Sequence, residues 1–200
     1  MRRKLDFEKK KIEGKNMYSE KIKPILEDLE NKNIDLAGGS TVGMVLSITN
    51  SLISYICNLT LGKKKYEDVQ EEVIRIKKEA EHLKEEALLS IDKDKEILEE
   101  ILDSYKLKKE KPEEYEKACK KSVDFCYKVT ENAVKTLELS KAISKVGNKM
   151  LSSDFKICKI YSKAAIEASI VNIRINLDSL KEKEYIQEIE NKIKKWQELE

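Results

Sequence analysis

Histidine occurs once in the 200 residues, tryptophan once, proline twice and glycine six times. The lone histidine, His82, excludes Cys-His and Ser-His catalytic arrangements and a zinc cage of ordinary ligand spacing. The four cysteines, Cys57, Cys119, Cys126 and Cys158, form no C-x-x-C pair, and Cys119 and Cys126, one heptad apart, read as core residues of a chain in a reducing cytoplasm. Glu79-Ala80-Glu81-His82 fits the Glu-x-x-His pattern of di-metal helical bundles, but such sites need the pattern twice. No metal is therefore expected, and His82 reads as a surface residue. An excess of charge of one sign is missing too. Lys and Arg number 40 against 38 Asp and Glu, a net charge of +2. No basic stripe of the kind that tracks a phosphate backbone is present, so no nucleic-acid partner is expected. Residues 1–16, MRRKLDFEKKKIEGKN, are basic but lack the apolar run of a signal peptide, and are read as an extension.

What is present is charge and helical period. Charged residues make up 39% of the chain, and the apolar residues recur at helical spacing, which predicts an all-α fold with a single helical domain over residues 17–200. A short helix containing Pro24 is expected over about 17–31. Ser40 reads as the N-cap of the next helix, which the turn at Gly62 ends. A long helix follows to about residue 107, Pro112 opens another, and Gly147-Asn148 reads as a left-handed cap. Ser152-Ser153-Asp154 begins a helix to about Leu180, and a charged helix closes the chain.

Residues 36–62 contain no charge and are long enough to span a bilayer, yet they carry Ser47, Thr49, Asn50, Ser51, Ser54 and Asn58. That polar content predicts an enclosed helix and no membrane span. A helix without a charged face needs cover on every side, and a homodimer would supply it.

Asp94 interrupts an otherwise apolar stripe. Val69, Val73, Ile76, Ala80, Leu83, Ala87 and Ile91 precede it on one face, and Leu98, Ile101 and Tyr105 follow. Burying a carboxylate without partners costs several kcal/mol. Two readings stand from spacing alone: a capped or paired structural Asp, or a general acid/base. A second stripe holds Asp154, Cys158, Tyr161, Ala165, Ser169, Asn172 and Asn176, with the two amides one turn apart. It suits either interhelical hydrogen bonds or the wall of a polar pocket. The Gly38-Gly39-Ser40 turn offers backbone N–H groups at a helix start, or is simply that start. Its glycine spacing does not make a P-loop, because Met44-Val45 stands where Lys and Ser/Thr are required.

Ala37-Gly38-Gly39-Ser40, Leu59-Thr60-Leu61-Gly62-Lys63-Lys64-Lys65-Tyr66, Ile91-Asp92-Lys93-Asp94, Tyr105-Lys106-Leu107, Gly147-Asn148 with Ser153-Asp154, and Asn172-Ile173-Arg174-Ile175-Asn176-Leu177 occur in one order. That order resembles the cyclodeaminase/cyclohydrolase family, found at the C-terminus of formiminotransferase-cyclodeaminase and as free-standing bacterial methenyltetrahydrofolate cyclohydrolases. The resemblance runs from about Met17 to the end of the chain. It implies a cytoplasmic, dimeric, all-helical folate one-carbon enzyme that binds a tetrahydrofolate derivative at the subunit interface, with no further cofactor. Asp94 then takes the catalytic position, and Gly38, Gly39, Ser40, Asp92, Asn148, Ser153, Asp154, Asn172 and Asn176 the substrate-binding ones. Lys63, Lys64 and Lys65 would attract the glutamate tail of folate, or form a solvated helix end.

The chain departs from the family pattern at Leu36 and Ala37, where Pro-Gly is usual, at Leu98, where Phe is usual, and at Lys108, where Pro is usual. A second class of function therefore stands beside the enzyme: a helical dimer that keeps the fold and serves as a binding or scaffold module.

Overall fold

The structure is a computed structural model that describes residues 18–32 and 36–199. The extension expected at 1–16, and Asp35 before the glycine turn, lie outside the described residues. Helices and turns make up the rest, with no strand among the described residues. The chain falls into two compact units, Met1–Ala37 and Gly38–Glu200. The first holds α1, Tyr18–Glu30, with Pro24 inside it and none of its residues buried. Its apolar residues Ile22, Ile25 and Leu26 share one exposed face.

The second unit holds α2 (Gly38–Asn58), α3 (Gln70–Lys106), α4 (Pro112–Val146), α5 (Ser152–Leu177) and α6 (Lys183–Gln197). Short 3₁₀ turns, Lys64–Val69 and Lys149–Leu151, lead into α3 and α5. The uncharged α2 packs against α3, α4 and α5. Val42, Leu46, Ile53 and Ile56 on it are buried. Several of its hydroxyls are accommodated by returning a hydrogen bond to the turn before, Ser47 to Gly43 O, Thr49 to Val45 O and Ser51 to Ser47 O, whereas Ser54 Oγ is buried without a hydrogen-bond partner among the described residues. Asn50, fully enclosed, donates from Nδ2 to Leu46 O and across to Thr136 Oγ1, both at 3.0 Å. That bond fixes the register of α2 against α4, since any slip would leave an amide unsatisfied in the core.

Two apolar cores result. One joins Val123, Leu137, Ile166, Ile173 and Ile193 of α4, α5 and α6; the other joins Ile53, Val73, Ile76, Leu83 and Ile143 of α2, α3 and α4. The last helix is held by Trp196 against Tyr127, ring centroids 4.9 Å apart, and by Tyr185 OH donating to Asp124 at 2.6 Å.

Several local expectations change. Ser40 is not an N-cap: α2 begins two residues earlier, at Gly38, and it is Thr41 Oγ1 that donates to Gly38 O. Gly62 does turn left-handed, at φ 71°. Gly147 does not; it is extended, at φ −73° and ψ 168°. Its lack of a side chain serves packing, because a Cβ there would lie 2.6 Å from Ile143 O and 3.0 Å from the Phe155 ring. On α3 the buried stripe passes through Ile97 rather than Leu98, and Tyr105 stands exposed.

One chain does not enclose α2. Ile48 and Tyr55 on its outer face are 56% and 49% exposed. The neighbouring α5 carries an outer stripe of Ile157, Ile160, Val171 and Ile175, of which Ile175 is 68% exposed. Both stripes repeat at helical spacing, so each helix has a second apolar face that the described residues of this unit leave exposed.

The packing at the α4–α5 turn yields a test. Gly147→Ala must displace either the last carbonyls of α4 or the Phe155 ring, at an expected cost of about 1–3 kcal/mol. Denaturant unfolding measures it, and an unchanged midpoint would show that the turn has room for a methyl group.

Candidate functional site

The site is assembled where the first turn of α2 meets the middle of α3. Gly39 and Gly43 lie four residues apart, hence on one face of α2. A Cβ at Gly43 would meet Ser90 Oγ at 2.7 Å and Ala87 O at 2.9 Å; one at Gly39 would meet Asp94 Oδ1 at 1.9 Å. The two glycines therefore let α2 approach α3 closely enough for Ser40 to reach Asp94. Ser40 is fully buried. Its backbone N–H donates to Asp94 Oδ2 at 2.8 Å and its Oγ donates to the same oxygen at 2.9 Å.

The physical logic is that of a helix end. The first N–H groups of α2 have no partner within the helix, and the partial positive charge there favours an anion. Asp94, half-buried on α3, supplies it from another helix. This accounts for the carboxylate in an apolar stripe, and it satisfies only one of the two oxygens. Oδ1 accepts no hydrogen bond from the described residues.

Asp94 lines a narrow crevice. Gly39 and Val42 of α2 form one side, Phe125, Cys126 and Val129 of α4 another, and Ser169 and Asn172 of α5 the third. The space between them is about 10 Å³, enough for the centre of one water molecule. Asn172 brings its amide to within 3.8 Å of the place a Cβ would occupy at Gly38. Cys126 faces the same carboxylate. Burial, then the charge of Asp94, pushes its thiol up to about 12, so it is a neutral wall of the crevice.

The residues singled out in the sequence divide into two groups. Gly38, Gly39, Ser40, Asp94 and Asn172 come together. Asn176 lies one turn beyond Asn172 and spends its Nδ2 on Asn172 O at 2.9 Å. Asp92 is exposed, off the buried face of α3. Asn148, Ser153 and Asp154 belong to the opposite end of α2, about 30 Å from Ser40 along a helix that rises 1.5 Å per residue.

There Asn148 is buried and tied. Its N–H donates to Thr60 Oγ1 at 3.0 Å and its Nδ2 to Leu59 O at 3.2 Å. Its Oδ1 accepts from Tyr66 OH at 3.4 Å and from Met150 N at 3.2 Å. The side chain joins the turns after α2 and α4. Ser153 is exposed, and Asp154 sits a turn before Cys158, whose thiol burial and then this carboxylate push up to about 12.

Sequence reasoning missed the crevice walls contributed by Val42, Phe125, Cys126 and Val129. It also missed what Gly39 and Gly43 do together, although their spacing of four was legible. A larger groove, about 380 Å³, lies between α5 and α6 and is lined by Lys163, Arg174 and Trp196. It contains none of the predicted residues, and Arg174 there reaches Glu190 and Gln197 at 3.4 and 3.3 Å.

Comparison with known proteins gives concordant results. The sequence profile of the formiminotransferase-cyclodeaminase family matches residues 21–195. A protein of Methylorubrum extorquens named methenyltetrahydrofolate cyclohydrolase is 23% identical over 177 residues, covering 85% of each chain. The crystal structure of a formiminotetrahydrofolate cyclodeaminase from Thermotoga maritima superposes with a TM-score of 0.83 at 22% identity, covering 88% of this chain and 87% of the other. At that identity the superposition establishes the fold.

Gly39→Ala tests the geometry. The added methyl group must push the Asp94 carboxylate off Ser40, with an expected loss of about 1–3 kcal/mol of stability. With Asp94→Ala in the same chain the two losses should not add, and a coupling of about 0.5–3 kcal/mol is expected in denaturant unfolding. Strict additivity would show that the two residues do not meet.

Proposed function

The chain belongs to the formiminotransferase-cyclodeaminase family, and from that premise we propose that it is a folate one-carbon enzyme acting on the N5–C–N10 bridge of a tetrahydrofolate derivative. One observation carries the proposal: a carboxylate held by one oxygen at a helix N-terminus and lining a crevice, its other oxygen accepting no hydrogen bond from the described residues. Such a group is oriented by bonds it does not lose when its free oxygen exchanges a proton.

Two reactions suit it. In cyclodeamination N10 attacks the formimino carbon of 5-formiminotetrahydrofolate, forming the N10–C bond. The proton on N10 passes to the departing nitrogen, a second proton arrives from Asp94 or solvent, and the C–N bond breaks to release ammonia and the methenyl cation. In cyclohydrolysis a water oxygen bonds to the methenyl carbon and loses a proton to Asp94. The C–N5 bond then breaks as Asp94 passes that proton to N5, and the carbinol oxygen gives its remaining proton to solvent as the C=O forms, leaving 10-formyltetrahydrofolate. In both, carboxylate charge near the bridge stabilises the cationic species.

A crevice of about 10 Å³ admits a water but not a pteridine ring. The folate therefore lies over its mouth. We assign the remaining wall to a second copy of the chain, seated on the bare apolar stripes of α2 and α5. The same small crevice is what favours the other reading, a dimer of this fold that binds or scaffolds without turnover.

The purified protein is given 5-formimino- and 5,10-methenyltetrahydrofolate separately, with methenyl absorbance and ammonia followed. Turnover of one of them is expected, and Asp94→Asn should lower it by roughly 10²–10⁴-fold with folate binding less affected. Near-normal turnover in Asp94→Asn would show the carboxylate to be structural, and no turnover by the unaltered chain would favour the scaffold. The dimer is tested separately. Val171→Asp and Ile175→Asp each place a charge on the α5 stripe, and sedimentation should show monomers where the unaltered chain gives dimers; an unaltered chain that is itself monomeric would sink this assignment.

A further inference from the structure

We propose that the groove between α5 and α6 is a second ligand site, apart from Asp94, and that it takes an elongated organic dianion with an acidic group at each end of an apolar body. The site does not depend on the folate reading. The groove measures about 380 Å³, within the roughly 300–1,000 Å³ usual for small-molecule sites. Lys163, Ile166, Ile170 and Arg174 line it from α5, at intervals of three or four residues that place them on one face of the helix. Asn172, which lines the Asp94 crevice, lies about 200° round α5 from Arg174. The two spaces therefore belong to different faces of the same helix.

The groove follows from how α6 is fastened. Its firm ties go to α4: Trp196 against Tyr127, Tyr185 OH on Asp124, and the Lys192 ammonium 4.6 Å from the Tyr127 ring centroid. Among the described residues its polar ties to α5 are two long bonds from one nitrogen, Arg174 Nη2 to Glu190 Oε2 at 3.4 Å and to Gln197 Oε1 at 3.3 Å. Held to α4 in this way, α6 closes only loosely over α5.

The charges on the lining are incompletely answered. An Arg–carboxylate pair ordinarily closes to about 2.7–2.9 Å and often engages two nitrogens. Arg174 does neither, and its Nε and Nη1 donate to none of the described residues. Lys163 makes no ion pair or hydrogen bond with the described residues. The two cations stand about 16 Å apart along the helix axis. Between them Ile166 and Ile170, both buried, and Trp196 of α6 supply an apolar stretch. Glu167 is the one acid on the lining, so the cations outnumber it. A ligand acidic at both ends answers both cations while its body covers the apolar stretch; a cation or a short anion does not. Val171, which also lines the groove, belongs to the α5 stripe assigned above to a second copy, so the site borders that interface.

The test is calorimetric titration of the full chain at neutral pH with three probes. Sebacate has both acidic ends and the apolar body, decanoate has the body with one end, and succinate has both ends without the body. Sebacate should bind about three- to tenfold tighter than decanoate, the increment expected of one more exposed charge pair, and succinate should be the weakest. Lys163→Gln and Arg174→Gln should each lower the sebacate affinity by about that factor and leave decanoate within about threefold. Glu167→Gln, which removes the opposing acid, should raise the sebacate affinity.

Thermal unfolding checks that each variant is folded. Should Arg174→Gln lose the docking of α6, Lys163→Gln and Glu167→Gln still decide the matter, since neither residue ties α6 to α5. Sebacate binding no tighter than decanoate, or unmoved by these substitutions, would make the groove an apolar wedge between helices and overturn the proposal. Absence of binding by all three probes would overturn it as well.

Discussion

The second unit is organised around one electrostatic contact: the Asp94 carboxylate against the N-terminal turn of α2. It ties residues 54 apart in sequence and fixes where α2 begins relative to α3. It also accounts for both glycines on the contact face, since neither Gly39 nor Gly43 can carry a side chain while α3 lies that close. Helix ends are ordinarily satisfied by nearby hydroxyls or by water. Here the partner comes from another helix, and its second oxygen accepts no hydrogen bond from the described residues, so the group that satisfies the helix end also lines the crevice.

The opposite end of α2 is closed by a different device. Asn148 gathers the turn after α2 and the turn after α4 through Leu59, Thr60 and Tyr66. Between the two ends, Asn50 and Thr136 set the register in the core. An uncharged helix is thus positioned by polar contacts at its start, middle and end, while its apolar side chains supply the burial. Apolar packing alone would tolerate sliding by a turn; these contacts do not.

The sequence made the helices legible because their punctuation is local. Pro112 opens α4 and Gly62 turns left-handed for reasons contained within a few residues. Asp94 was legible for the same kind of reason, as a charge on an apolar stripe. What was not legible depends on distances between helices. Ser40 looked like a cap for its own helix until α3 brought a carboxylate to it, and the bonds that tie Asn148 to Thr60 and Tyr66 join residues more than 80 positions apart. The crevice walls at Phe125, Cys126 and Val129 come from α4, whose pattern says only that they are core. Beyond Ile91 the stripe also drifts: over the 37 residues of α3 the neighbours that cover it change, and Ile97 replaces Leu98 as the buried position.

The neutrality of the crevice thiol has a chemical consequence. Electrophiles and peroxides react with thiolate, not thiol. With its ionisation pushed up to about 12 by burial and then by the charge of Asp94, Cys126 is a neutral thiol near neutral pH. Cys57 and Cys158 in the core are raised to the same level. The sulfur beside Asp94 can therefore contribute bulk and polarisability to the wall without becoming a point of oxidative or alkylative inactivation.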